Sequence, residues 1–429
     1  MTATQPHART QTSAPIDGAL LAPAEPTQRI ELLDALRGFA LFGVCLANLF
    51  IFGYLDLPAP AGLPRATLPT DGVATFLMHG FVEGRFYSIF SLLFGLGFAL
   101  QLQRAEARGG DGIPLYKRRL HILMLFGLAH LLFFWFGDIL LFYALMGLVL
   151  MRMRRLPDRQ VIKWAVICIL LPIVLYLPIM IHQMLSIALP FFALTFGVAK
   201  LYGIDLMHMQ DSIFPLYTSG NVADWFKLNT VGMAFRYADL LFTGRPFKVL
   251  AMFLVGMYVG RHRMWSHIGT YAPLLKRIAL WGFLVGLPAS IALVQVKDGD
   301  KFFAGTLNGL AESALYAVAV FPLALAYAAT FALLWRRRAW ERLLRVFAPA
   351  GKMALTNYLS QTLIATLIFS GFGLRQAGRI GATYLWLMAI AILTVQIIFS
   401  QWWLARYRFG PLEWVWRSAT YRAWQPMKK

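Results

Sequence analysis

Ten stretches of this chain, at 38–55, 86–103, 120–137, 139–151, 164–181, 249–260, 278–296, 313–335, 353–374 and 380–405, contain no Asp, Glu, Lys or Arg. A bilayer core of about 30 Å takes roughly 20 consecutive apolar residues per helix, whereas a soluble helix keeps one polar face. The expected fold class is therefore all-α, a polytopic transmembrane helical bundle of about ten helices. Composition agrees, with 14% charged residues against about 25% in soluble domains. The stretches at 139–151 and 249–260 are short and must borrow flanking residues or tilt against protein.

The net charge of +20 is spread over alternate connections, with Lys and Arg clustered at 101–119, 152–163, 261–277, 335–352 and 405–429. Cytoplasmic loops are enriched in basic residues, so these connections and both termini belong inside. An odd number of spans would break the alternation. Basic clusters between apolar spans orient a membrane protein and give no reason to invoke nucleic acid. Residues 1–29, rich in Thr, Ala, Pro and Gln, read as a disordered cytoplasmic tail. The membrane domain is expected over 30–405 with a periplasmic cap around 182–245, and 406–429 as a cytoplasmic interfacial tail carrying Glu413 and Arg417 four residues apart. The segment 71–85 is either a helical stub or a re-entrant piece broken at Gly80 and Gly84. Cys45 and Cys168 lie inside apolar blocks and read as small core residues.

Hydrophilic side chains inside a bilayer cost several kcal/mol unless paired or wetted, so each is a candidate site. Asp34 and Arg37 stand at the inner end of the first span, as a local ion pair or as contacts to an anion entering from the cytoplasm. Asn48 lies about 15 Å deeper at 1.5 Å per residue. His130 reaches a similar depth on the third span, and Asp138 starts the fourth. The pair is either an interhelical hydrogen bond and an N-cap, or a carboxylate-oriented imidazole. His79, Glu83 and Arg85 crowd the outer start of the second span; a metal would need a third ligand that is not adjacent, so no metal is expected. Asn357, Tyr358 and Gln361 bring amide and hydroxyl groups to the ninth span, as interhelical glue or as substrate contacts. No phosphate-binding glycine loop, HExxH, CxxC or nucleophile elbow is present.

At these residues the chain resembles a known family. Leu33-Asp34-Ala35-Leu36-Arg37-Gly38-Phe39-Ala40 with Asn48, Phe90 to Gly97, Gly127 to His130 with Gly137-Asp138-Ile139-Leu140 and Tyr143, Gly351 to Gln361, and Gly410-Pro411-Leu412-Glu413-Trp414 resemble blocks of the YeiB-like bacterial membrane proteins. The C-terminal half is similar to domain of unknown function 418. More distantly the pattern resembles the transmembrane acyltransferases that include heparan-glucosaminide N-acetyltransferase. That resemblance implies a multi-pass protein of the bacterial inner membrane, acyl-CoA as co-substrate entering from the cytoplasm, and a lipid or glycan acceptor on the far side. Asn48 matches an Asn of the glucosaminide enzyme. The His that follows it there has no counterpart here before His79, so the base falls to His130 or His79.

Three functions follow as expectations. In a membrane acyltransferase, Arg37, Arg118 and Arg119 hold the CoA phosphates, His130 with Asp138 takes the acceptor proton, and Asn48 stabilises the oxyanion. Asp34, Glu83, Arg85, Asn357, Tyr358 and Gln361 are then candidate substrate contacts. In a transporter or flippase of an amphipathic substrate, the same cluster is a midplane site. In a non-catalytic accessory membrane protein, it only holds helices together.

Overall fold

The computed structural model describes residues 30–182, 185–297 and 302–429; the tail expected at 1–29 lies outside them. The described residues form helices and connections with no β-sheet. In chain order the helices are α1 (Glu31–Phe52), α2 (Asp71–Leu77), α3 (Arg85–Glu106), α4 (Ile113–Ala129), α5 (Leu140–Arg152), α6 (Asp158–Ile181), α7 (Leu189–Leu201), α8 (Met209–Thr218) and α9 (Val222–Phe242). They continue as α10 (Arg245–Arg261), α11 (Ile268–Val296), α12 (Leu307–Trp335), α13 (Arg338–Leu344), α14 (Ala348–Lys352), α15 (Ala354–Phe369), α16 (Ala382–Arg406) and α17 (Pro411–Tyr421). Two π-helical turns, Met78–Val82 and His130–Phe134, extend α2 and α4.

Each of the ten uncharged stretches carries a helix, yet the candidates for complete spans are fewer. Among the described residues, six helical segments are long and apolar enough to cross a bilayer, and the bent pair α9–α10 makes a seventh. The shortfall is one of length. α5 and α15 have 13 and 16 residues, or roughly 20 and 24 Å at 1.5 Å per residue, less than a bilayer core. The segment expected as a cap is helical throughout α7, α8 and α9, and α9 meets α10 at a 67° bend. Within 71–85 the helix does not break at Gly80, which sits inside the first π-turn; the turn comes at Gly84, whose φ of +84° suits glycine.

Lipid replaces water around this bundle, so apolar surface is left outside and polar groups are gathered within. α6 exposes Leu170, Val174, Leu177 and Ile181, α11 exposes Leu280, Trp281, Leu284 and Ile291, and α16 exposes Leu387, Ile390, Val395 and Ile398. These apolar faces fit contact with a lipid bilayer. In contrast, α1 and α3 lie at the centre, with Leu41, Leu46, Phe50, Ile89 and Phe98 at most 1% exposed.

Helices with no hydrophobic drive between them associate by close packing and hydrogen bonds. α14 crosses α1 so tightly that a Cβ at Gly351 would lie 1.8 Å from the Asp34 carbonyl oxygen, and one at Gly38 would lie 2.0 Å from that of Phe347. The Asp34–Gly38 and Gly351–Gln361 motifs therefore touch, backbone to backbone. Gly256 of α10 similarly seats on Leu92 of α3.

α17 folds back across the end of the bundle where α15 begins. Its Glu413 Oε1 accepts from the backbone N–H of Leu355 (2.7 Å) and Thr356 (3.0 Å), and Oε2 accepts from the Thr356 hydroxyl (2.6 Å). A carboxylate thus closes the exposed donors at the N-terminus of α15, where the helix dipole favours negative charge. Burial pushes the Glu413 carboxyl above its usual range, against the pull of those bonds. Replacing it leaves three donors without an acceptor. Glu413→Ala is therefore expected to cost about 1–3 kcal/mol, read as a lower Tm of the purified protein in detergent, with Glu413→Gln in between.

Candidate functional site

Both histidines singled out from the sequence sit on π-helical turns, a geometry found mostly at functional positions because it displaces side chains from the regular ladder. His130 is 2% exposed and Asp138 is also 2% exposed. His130 Nδ1 lies 2.8 Å from Asp138 Oδ2, and His130 Nε2 lies 3.0 Å from the Thr362 hydroxyl. A carboxylate only accepts, so Nδ1 carries the hydrogen; in the neutral ring Nε2 is then the acceptor and Thr362 the donor. The other Asp138 oxygen, Oδ1, accepts from Leu141 N–H at 2.8 Å and caps α5. One carboxylate therefore orients the imidazole and starts a helix together. Thr362 was not foreseen; its spacing, one residue past Gln361, was the available signal.

Around this relay, the Tyr358 ring lies 5.4 Å and the Trp135 ring 6.5 Å from the imidazole. Phe52 stacks on Trp135 at 4.5 Å, and Val44 packs with the cluster that contains Tyr358. Asn48 is one turn from each on α1, so it lies on the face turned toward His130. It is half-buried and makes no hydrogen bond among the described residues. Asn48 and His130 are not in hydrogen-bond contact, since both imidazole nitrogens are engaged elsewhere.

The ninth-span amides form a separate ladder. Asn357 Nδ2 donates to Ala350 O (3.0 Å) and Ser400 Oγ (3.1 Å), while Gln361 Nε2 donates to Gln396 Oε1 (2.8 Å). Gln396 Nε2 in turn donates to Asn357 O at 2.9 Å. These contacts join α15 to α14 and α16.

Where the π-turn after α2 meets the end of α11, His79, Glu83 and Lys297 form a triangle. Glu83 Oε2 lies 2.6 Å from His79 Nδ1 and 2.6 Å from Lys297 Nζ, and His79 Nε2 faces Asp56 Oδ1 at 3.4 Å. Although burial opposes it, the Glu83 carboxylate holds the Lys297 ammonium above its usual range. Asp56 is shifted upward by burial first and by Glu83 second. Arg85, 1% exposed, donates to Glu83 O (2.6 Å), His79 O (3.1 Å) and Ser290 Oγ (2.6 Å). It ties the turn between α2 and α3 to α11. Among the described residues no group of three or more His, Cys, Asp or Glu is placed to hold a metal ion.

On the first turns of α1, Arg37 pairs with Asp34 at 2.7 Å and lies within electrostatic range of Arg119. Arg119 stacks over Trp416 at 4.4 Å, and Arg118 donates to Thr420 O at 3.1 Å. The first-span and third-span cations thus meet under α17.

A further set of cations carries no motif in the sequence: Lys248 is 6% exposed, and Arg236 and Arg245 each bury the guanidinium Nε. Arg236 Nη1 lies 3.5 Å from Asp239 Oδ2 and within electrostatic range of Asp138 and Tyr358. The chain bends at Gly244, φ +65°, between Arg236 on α9 and the Arg245 and Lys248 that open α10; Gly244 itself was the one local hint of it.

Removing Asp138 leaves the His130 Nδ1–H and the Leu141 N–H without an acceptor inside the protein. Asp138→Ala is expected to destabilise the protein by about 1–3 kcal/mol for each donor so left. The double replacement His130→Leu with Asp138→Leu should recover part of that loss. Thermal unfolding in detergent of the two single variants and the pair supplies the cycle.

The sequence comparisons agree with this architecture. A sequence model of the family described as "Protein of unknown function (DUF418)" matches residues 259–423. The chain is 31% identical to "Uncharacterized protein YxaH" of Bacillus subtilis (strain 168), over 95% of this chain and 98% of that protein. It is also 30% identical to "Uncharacterized protein YeiB" of Escherichia coli (strain K12), over 93% of this chain and 98% of the relative. A third relative, the "Uncharacterized 39.9 kDa protein in amylase 3'region" of Bacillus acidopullulyticus, is 31% identical over 93% of this chain and 96% of its own length. No solved structure matches. With relatives matched nearly end to end and a bundle of apolar helices, this multi-pass membrane protein belongs to the YeiB-like DUF418 family.

Proposed function

We propose that this chain is a membrane acyltransferase that moves an acyl group from cytoplasmic acyl-CoA to an acceptor in the membrane or beyond it. The observation that carries the reading is the line Asp138–His130–Thr362: a carboxylate fixes the tautomer of a buried imidazole and aims Nε2 at a hydroxyl. This is the geometry by which a neutral His takes a proton from an alcohol. An acceptor hydroxyl that takes the place of Thr362 gives its proton to Nε2 as its oxygen attacks the thioester carbon. Asn48, on the same side, donates to the oxyanion. Collapse of the tetrahedral intermediate breaks the C–S bond, and the His130 imidazolium returns the proton to the CoA thiolate. Asp138, bonded to Nδ1, faces the imidazolium and offsets its charge.

Arg37, Arg118 and Arg119 suit the phosphates of CoA at the inner mouth. From Arg37 to Asn48 the rise along α1 is about 16 Å at 1.5 Å per residue, comparable with an extended phosphopantetheine arm. Tyr358, Asn357 and Gln361 line the approach on α15, and Glu83 and Arg85 stand at the outer end where an acceptor head group would enter. His79, locked between Glu83 and Lys297, is on the opposite face of α1 from Asn48 and is the weaker candidate for the base.

A transporter or flippase is the second reading, favoured by the bend between α9 and α10, since broken helices near cationic side chains are a transporter device. The two separate in one experiment. Acyl-CoA at a hundredfold excess over its dissociation constant should stabilise the purified protein by about 2.7 kcal/mol, with the effect reduced in Arg37→Ala, and His130→Gln should abolish acyl transfer to membrane extracts. No thermal shift with any acyl-CoA, together with substrate flux in CoA-free proteoliposomes, would replace the first reading by the second.

A further inference from the structure

Arg245 and Lys248 open α10 three residues apart, so two cations stand in the first turn of a 17-residue helix. That is the wrong end for them: the N-terminus already carries roughly half a positive charge from the aligned peptide dipoles. Neither side chain makes a hydrogen bond or an ion pair among the described residues. The Arg245 guanidinium lies over the Tyr87 ring at 4.9 Å, and Lys248 Nζ lies over the Tyr316 ring at 3.6 Å. Arg245 Nε is buried without a partner, as is Arg236 Nε. The Tyr87 and Tyr316 hydroxyls meet at 2.7 Å between the two cations. Glu83, Asp239 and Glu312 lie within electrostatic range but outside ion-pair distance of either cation.

The cost of this arrangement needs a compensating charge. Two like charges and a helix N-terminus share a site from which water is largely excluded, with Lys248 itself 6% exposed, and electrostatic repulsion grows as the dielectric falls. Cation–π contacts return only about 0.5–2 kcal/mol each. Arg261, at the other end of α10, bonds to Leu156 O and Asp158; Arg245 lies 16 residues away, or about 24 Å at 1.5 Å per residue, which places it near the opposite side of a bilayer core of about 30 Å.

From this we infer that the α9–α10 bend is a binding site for a phosphate group, held by Arg245, Lys248, the free N–H groups of α10 and the Tyr87–Tyr316 hydroxyl pair. A phosphate monoester carries close to two negative charges at neutral pH and several acceptor oxygens, which matches two cations and the one hydroxyl hydrogen that the Tyr87–Tyr316 pair leaves free; helix N-termini bind such groups readily. Arg236 stands between this site and Asp138, within electrostatic range of both Arg245 and Asp138, so an occupant's phosphate lies on the path to the His130 relay. The phosphate belongs either to a lipid head group or to a soluble phosphoester.

The site does not depend on the acyl-transfer reading, and the test separates them. Thermal unfolding of the full chain in an uncharged detergent is followed against inorganic phosphate and glycerol phosphate in one arm, and short-chain phosphatidic acid in the other, with phosphatidylcholine as control. Saturable stabilisation is expected, with the apparent Kd weakened at least tenfold in Arg245→Gln and in Lys248→Met. Lys248→Met removes a like charge from the interior and is expected to raise the Tm of the ligand-free protein, which keeps the test open should Arg245→Gln not fold. Stabilisation by phosphatidic acid alone identifies the lipid source; stabilisation by the soluble esters identifies the other. No saturable effect of any phosphate, or a Kd unchanged in Lys248→Met, overturns the site. Acyl-CoA protection that depends on Arg37 and not on Arg245 leaves both proposals standing, whereas phosphate binding without an acyl-CoA response retains this site and removes the acyltransferase.

Discussion

Inside a bilayer a hydrophilic group has no water to fall back on, and an unmet donor or charge there costs several kcal/mol. This constraint organises the bundle. Asp138 meets it twice, orienting His130 with one oxygen and capping α5 with the other. Glu413 meets it for α15, and Arg85 closes the turn between α2 and α3 with three acceptors. Each polar side chain that joins two helices also fixes their register, so the groups that make the bundle specific are the ones available for chemistry.

What could be read from the sequence follows from the range of the forces involved. Uncharged stretches report burial in lipid directly, and every one of the ten became a helix. Their lengths were less informative, because α5 and α15 fall short of a full crossing and depend on packing, which no local pattern records. The pairing of His130 with Asp138 was legible because the two lie on consecutive antiparallel helices joined by a tight connection. Thr362 closes the relay from a helix more than two hundred residues later, and nothing local to it says which neighbour it will meet. The same holds for Gly38 and Gly351: each reads as a small residue in a motif, and only the fold shows that they face one another.

The cations of the α9–α10 bend show what charge counting leaves out. Charge counting assigns Lys and Arg near span ends to the loops, and Arg236, Arg245 and Lys248 all lie within a few residues of an apolar run. A bend of 67° at Gly244 turns a loop into the start of a second helix and brings those charges inside. Positive-inside statistics describe residues that stay in water or snorkel to it; they fail where a break in the helix lets a charged turn enter the protein.

The two histidines show how the same residue type is given different freedom. His79 is gripped by Glu83 and Asp56 on its two nitrogens, with Lys297 on the same Glu83 carboxylate, and the ring serves as a strut between the π-turn and the end of α11. His130 has a carboxylate on one nitrogen and only a neutral hydroxyl on the other. Displacing a Thr hydroxyl exchanges one neutral hydrogen bond for another of about 0.5–1.5 kcal/mol, whereas freeing His79 means breaking contacts to charged groups. Of the two imidazoles on π-turns, the more buried one is therefore the one that can exchange a partner at low cost.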